Sequence, residues 1–113
     1  MANSSTYLRF LNLSQAVAED WSEIDLTALR TLEAIAVADT KDTPLTVTEA
    51  MSMNAIASPA TMHRKLDQLR EAGLIAQVHV GTNRRTKYLV PTAEAGKYFE
   101  QLGNALVRAT QQP

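Results

Sequence analysis

Residues 58–73 read SPATMHRKLDQLREAG, and almost every position in that stretch argues for a helix with fixed ends. Ser58 offers an N-cap oxygen, and Pro59 comes next at the first helical position, where its missing N–H costs nothing. Gly73 offers the left-handed stop. Met62, Leu66 and Leu69 recur at three- and four-residue spacing, the stripe such a helix must bury. The residues after Gly73 constrain the fold further. LIAQVHV and KYLV read as two strands joined by GTNRRT, a β-hairpin, and Pro91 ends the second strand.

Upstream, TVTEAMSM forms a short helix whose Thr46 and Glu49 have capping-box spacing. The NAIA stretch, Asn54 to Ala57, lies near the turn between it and the capped helix. A short helix, a turn and a capped helix make a helix-turn-helix. The hairpin directly behind makes it a winged helix-turn-helix.

Two further helices precede this core. Over residues 5–21, Tyr7, Phe10, Leu11, Ser14, Val17, Ala18 and Trp21 share a face, with Leu8 and Leu13 off it. Over 23–38, Leu26, Leu29, Leu32 and Ala36 form the stripe, Ile35 lies at its edge, and Ser22 or Asp25 caps it. After a polar ADTKDTP linker, the short helix and the wing, Thr92 caps a last helix over residues 93–109. Its apolar face is Ala95, Tyr98 or Phe99, Leu102, Ala105 or Leu106, and Ala109. The expected fold is therefore mainly α with a small β-hairpin. It is one domain over 1–113, a length that suits a single core. Helix 1–22 and helix 92–113 flank a winged-helix core at 23–91.

Charge is unevenly placed. Residues 1–57 hold three Lys/Arg against eight Asp/Glu, a formal −5, while residues 58–113 hold eight against four, a formal +4. One face meeting a polyanion fits that split. With the stripe of helix 59–72 inward, the outward face carries Ala60, Arg64, Asp67 and Glu71, with Thr61 and Gln68 on one shoulder. Arg64 can take guanine O6 and N7 with two bonds, and Gln68 can do the same for adenine. Ala60 or the Thr61 methyl can pack on a thymine methyl, and the amides after Ser58 favour a phosphate. Asp67 and Glu71 oppose deep insertion, so the nose of the helix is expected to enter the groove. Arg84, Arg85 and Lys87 at the wing tip suit the backbone or the minor groove. The expected DNA-contacting set is Ser58, Ala60, Thr61, Arg64, Lys65, Gln68, Asn83, Arg84, Arg85 and Lys87.

Other chemistry finds little footing. There is no cysteine, which removes disulfides and thiolate metal sites. The two histidines, His63 and His79, have no partners at zinc-ligand spacing. No catalytic or cofactor motif is visible, so neither an enzyme nor a bound cofactor is expected. No apolar run reaches membrane-spanning length, and the N-terminus lacks the pattern of a signal peptide. A cytoplasmic protein is expected. Met51, Met53 and Met62 read as core filler.

From Leu45 to Gly96 the sequence resembles the MarR family of winged-helix transcriptional regulators. LTVTEAMSMNAIASPATMHRKLDQLREAGLI is similar to the family's helix-turn-helix with its L-x-x-x-G-L-[IV] ending, and NRRTKYLVPT is similar to its D-R-R wing. Asn83 departs from the usual Asp that braces the wing arginines, and Pro91 from the usual Leu. The wing is short, and one helix comes after it where the family usually has two. The resemblance implies a homodimer of bacterial type on a pseudo-palindromic double-stranded operator, often released by a small ligand. The apolar surface of the terminal helices fits a dimer: Tyr7, Leu8, Phe10, Leu11, Leu13 and Trp21, then Tyr98, Phe99, Leu102, Leu106 and Val107; the alternative is that the two helices pack on each other within one chain. A ligand pocket near Trp21 and the dimer seam is a further reading, set against plain packing of the aromatic and aliphatic residues there. The alternative function is a winged-helix protein-interaction module, in which those helices dock a partner and the basic wing is incidental.

Overall fold

The computed structural model describes residues 2–111. Helices α1 (Ala2–Asp20), α2 (Leu26–Thr40), α3 (Val47–Met51) and α4 (Pro59–Glu71) are followed by strands β1 (Ile75–Val78) and β2 (Tyr88–Pro91), then helix α5 (Ala93–Gln111). The strands pair antiparallel, with Ile75 opposite Pro91 and Val78 opposite Tyr88. The chain forms two compact units. Residues 24–95 make one, and residues 1–23 with 96–113 make the other.

In the 24–95 unit, α4 ends as its sequence requires. Ala72 is the C-cap, and Gly73 takes φ +75°. The Gly73 amide donates to the Arg70 carbonyl at 3.0 Å and the Leu74 amide to the Leu69 carbonyl at 3.0 Å. This is a Schellman stop, closed by the buried pair Leu69 and Leu74. Met62, Leu66 and Leu69 are all buried, as the stripe requires. They pack with Leu32, Ile35, Ala50, Ile75 and Leu89 into the core of the unit.

The packing face of α2 differs from the expected one. Asp25 is the cap and accepts from the Ala28 amide at 2.8 Å. The buried residues are Ala28, Thr31, Leu32 and Ile35, whereas Leu26 is 64% exposed. Leu26 opens the helix beside its cap, at the end of the stripe. Small Ala28 and Thr31 allow close approach in its place. Thr31 can be buried because its hydroxyl donates to the Thr27 carbonyl at 2.8 Å.

The wing also differs. The strands are four residues long and the loop runs from His79 to Lys87. Val80, expected in the first strand, is 54% exposed, so burial gives no reason to extend the pairing. A third extended segment joins the sheet instead. The Leu89 amide donates to the Leu45 carbonyl at 2.8 Å, and the Val47 amide to the Lys87 carbonyl at 3.1 Å. Thr46 bridges Tyr88 between them. The start of α3 is thereby tied to the base of the wing.

In the other unit, α1 and α5 meet through side chains at both ends. Arg9 Nε donates to the Ala109 carbonyl at 3.2 Å. Trp21 Nε1 donates to Gln101 Oε1 at 3.2 Å, and its ring meets Tyr98 edge-on at 5.2 Å. Here α5 buries Tyr98, Ala105 and Ala109, while its Ala95 is buried in the 24–95 unit; Phe99 is half-buried and Leu106 exposed. No α1 residue with a described side chain is fully buried. Its expected face is only partly covered: Phe10, Ser14 and Val17 are half-buried, while Tyr7, Leu11 and Ala18 are exposed, and Leu13, expected off the face, is half-buried. Among the described residues, no helix is long and apolar enough to cross a membrane.

Candidate nucleic-acid interface

α4 carries an uncovered strip over its N-terminal half. Ser58, Pro59, Ala60, His63 and Arg64 are exposed, and Thr61 and Gln68 are half-buried. Ser58 caps the helix with β-region backbone, and its side-chain oxygen accepts from the Thr61 amide at 3.4 Å. A hydroxyl ladder continues along this edge. Ser58 Oγ donates to Thr61 Oγ1 at 3.2 Å, and Arg64 Nη2 donates to the same oxygen at 3.1 Å. The Arg64 guanidinium therefore leans back over the first turn, toward the end that a recognition helix presents to bases.

Lys65, one of the expected contacts, is placed elsewhere. Its ammonium donates to Asp25 Oδ2 at the start of α2, and only 22% of its side chain is exposed. Sequence position alone leaves Lys65 free to face either way; tertiary packing turns it into a tie between α2 and α4. The Lys65 ammonium, with the Ala28 amide after it, holds the Asp25 carboxyl below the usual range. Asp67, expected to oppose insertion as an outward charge, is engaged by Arg70, whose Nη2 donates to its Oδ1 at 2.9 Å. This contact was legible in the i,i+3 spacing. Glu71 is exposed.

The wing tip is ordered by Asn83. Its Oδ1 accepts from the Arg85 amide at 2.9 Å and the Thr86 amide at 3.3 Å, and its Nδ2 donates to Thr86 Oγ1 at 3.0 Å. His79 Nδ1 lies 3.0 Å from the Thr86 carbonyl across the loop. A carboxamide thus braces the wing through backbone amides, where the family pattern has a carboxylate bracing arginines. Arg84, Arg85 and Lys87 are exposed. Arg85 and Lys87 line an open cleft of about 330 Å3 with Thr46, Val47 and Thr48. The extended Leu45–Val47 segment, whose Thr46 and Val47 line this cleft, is not legible in the sequence, because three residues are too few to show alternation.

No protein-family model and no curated protein matches the sequence. Solved structures do match. RV1404 from Mycobacterium tuberculosis aligns with TM-score 0.66 at 18% identity, over 93% of this chain and 68% of that one. NadR in complex with 4-hydroxyphenylacetate aligns with TM-score 0.58 at 18% identity, over 93% and 67%. YusO from Bacillus subtilis aligns with TM-score 0.59 at 20% identity, over 92% and 70%. The chain has their winged-helix fold. In winged-helix terms, α3 and α4 are the helix-turn-helix, α4 its second helix, and β1, β2 and residues 79–87 the wing.

Proposed function

We propose that this winged-helix protein is a sequence-specific, DNA-binding transcriptional regulator that acts in the cytoplasm as a homodimer on a pseudo-palindromic operator. The observation that carries the proposal is the pairing of an uncovered, capped α4 bearing Arg64 with a cationic wing anchored to the start of α3. Arg64 reads a guanine edge, and Ala60, Thr61 and Gln68 extend the readout. Ser58 and its neighbouring amides hold a phosphate, and Arg84, Arg85 and Lys87 supply the salt-sensitive part of the affinity. Asn83 acts by shaping the tip.

Dimerisation is assigned to the exposed apolar side chains of the other unit, Tyr7, Leu8 and Leu11 of α1 with Leu106 and Val107 of α5. Trp21 and Tyr98 contribute indirectly, since their rings meet within the chain; Phe10, Phe99 and Leu102, all half-buried, form the margin. The ligand carried by NadR supports a small-molecule effector here too.

A gel shift against random duplex at about 50 mM salt and micromolar protein tests the reading, because non-specific affinities of such proteins lie near 10⁻⁴–10⁻⁶ M even at physiological salt. Retarded duplex is the expected result. Failure to bind would reject the regulator and favour a protein-interaction module.

A further inference from the structure

His63, Asp67 and Arg70 stand on one flank of α4. His63 Nδ1 lies 3.3 Å from Asp67 Oδ2, and Arg70 Nη2 donates to the other oxygen of that carboxylate at 2.9 Å. The three line an open groove of about 290 Å3, shared with Val47 and Met51 of α3, Leu66, Gln77 of β1 and Leu89 of β2. None of those five titrates, so Asp67 and Arg70 are the charged groups facing the imidazole in this groove. The other edge of α4 carries the Thr61 and Arg64 ladder.

An ionised carboxylate only accepts hydrogen bonds, so the ring nitrogen facing it carries the proton. With Nδ1 protonated, a neutral imidazole keeps Nε2 as a bare acceptor at its far edge. The His63 side chain is 60% exposed, one residue before Arg64 in the half of the helix that faces bases. Arg64 can only donate. The two neighbours therefore ask opposite things of DNA. A donor takes guanine O6 and N7, whereas an acceptor takes an exocyclic amine, which in the major groove means adenine N6 or cytosine N4.

We infer, building on the DNA-binding reading above, that His63 is a base-reading residue held by Asp67 as a hydrogen-bond acceptor, selecting an amine-bearing base next to the guanine read by Arg64. Asp67 is a positioning residue, and Arg70 fixes its carboxylate from the far side. The spacing of the three residues is visible in the sequence; the shared carboxylate is visible only in the structure.

The test is selection of bound fragments from randomised duplexes at about pH 8, using the full chain. The wild type is expected to enrich adenine or cytosine beside a guanine. His63→Ala is expected to lose that one preference by about three- to tenfold, the worth of one hydrogen bond, and to keep the guanine. Asp67→Ala is expected to weaken the same preference, because the released ring can exchange tautomers. Both side chains are at least 40% exposed, and thermal unfolding checks that the variants remain folded. Unchanged selection by His63→Ala would overturn the assignment. So would uniform weakening on all sequences with a salt slope shallower by about one, which would place the ring on a phosphate. A wild type that binds no duplex would reject the regulator reading together with this one, and that result is distinct from either variant outcome.

Discussion

Gly73 turns the chain from the capped helix into the sheet, and it does so at φ +75°. A Cβ built there meets nothing within 4 Å, so the need for glycine is conformational and not steric. Gly73→Ala should lower stability by about 1–2 kcal/mol, the cost of left-handed backbone for an L-residue, measured as a shift in the urea midpoint with unchanged slope. On the proposed reading, Arg64 serves binding and not the fold. Its guanidinium rests on Thr61 Oγ1. Arg64→Ala should cost about 1–3 kcal/mol on the operator and flatten discrimination at one base pair. An unaltered base preference would show that Arg64 does not read bases.

The elements are held in register by a few side-chain ties. Asp25 is the cap of α2 and also the partner of Lys65 on α4. Asp25→Ala should remove both and destabilise by about 1–2 kcal/mol, in the range measured for missing caps. Asp25→Asn should keep the cap and lose the ion pair. The pH dependence has a definite sign. Because the folded carboxyl is held below its ordinary value, the pair contributes fully above the ordinary aspartate range. That contribution is lost as pH falls through the depressed folded value. The stability gap between wild type and Asp25→Asn should therefore shrink as pH is taken from about 6 to about 2; a constant gap would mean the pair adds nothing. On the proposed reading, the wing acts through its charge. Replacing Arg84 and Arg85 together by Ala should weaken binding to every sequence and reduce the salt slope by about one for each phosphate left without its cation. Because Asn83 and not the arginines shapes the tip, the wing should keep its structure in that variant. Loss of discrimination with an intact salt slope would point away from the backbone.

At the scale of the whole molecule, the unit formed by α1 and α5 is the part that leaves most apolar surface uncovered. A 19-residue helix with no fully buried residue among its described side chains is marginal by itself. Tyr7 and Leu8 are about 60% exposed on it, and Leu106 and Val107 about half exposed on α5. Substituting Leu8 and Leu106 by Glu together should shift the sedimentation of the proposed dimer to that of a monomer and leave the thermal unfolding of the 24–95 core in place; an unshifted sedimentation coefficient would remove these residues from the proposed interface. Local sequence is enough to specify the order of elements, both ends of α4, the capping box of α3 and the cationic tip. Each of these is written in neighbours three or four residues apart, where local hydrogen bonding and periodicity settle the outcome. Long-range packing, by contrast, selected the buried face of α2, since Ala28 and Thr31 are there for close approach and not for hydrophobicity. It selected Tyr98 over Phe99 and Ala105 over Leu106, pairs that adjacent positions on a helix leave open by 100°. It also made Lys65 a tie between α2 and α4, and it brought Leu45–Val47 in to close the sheet. Those contacts join residues some 40 positions apart, and no local pattern encodes a partner at that distance.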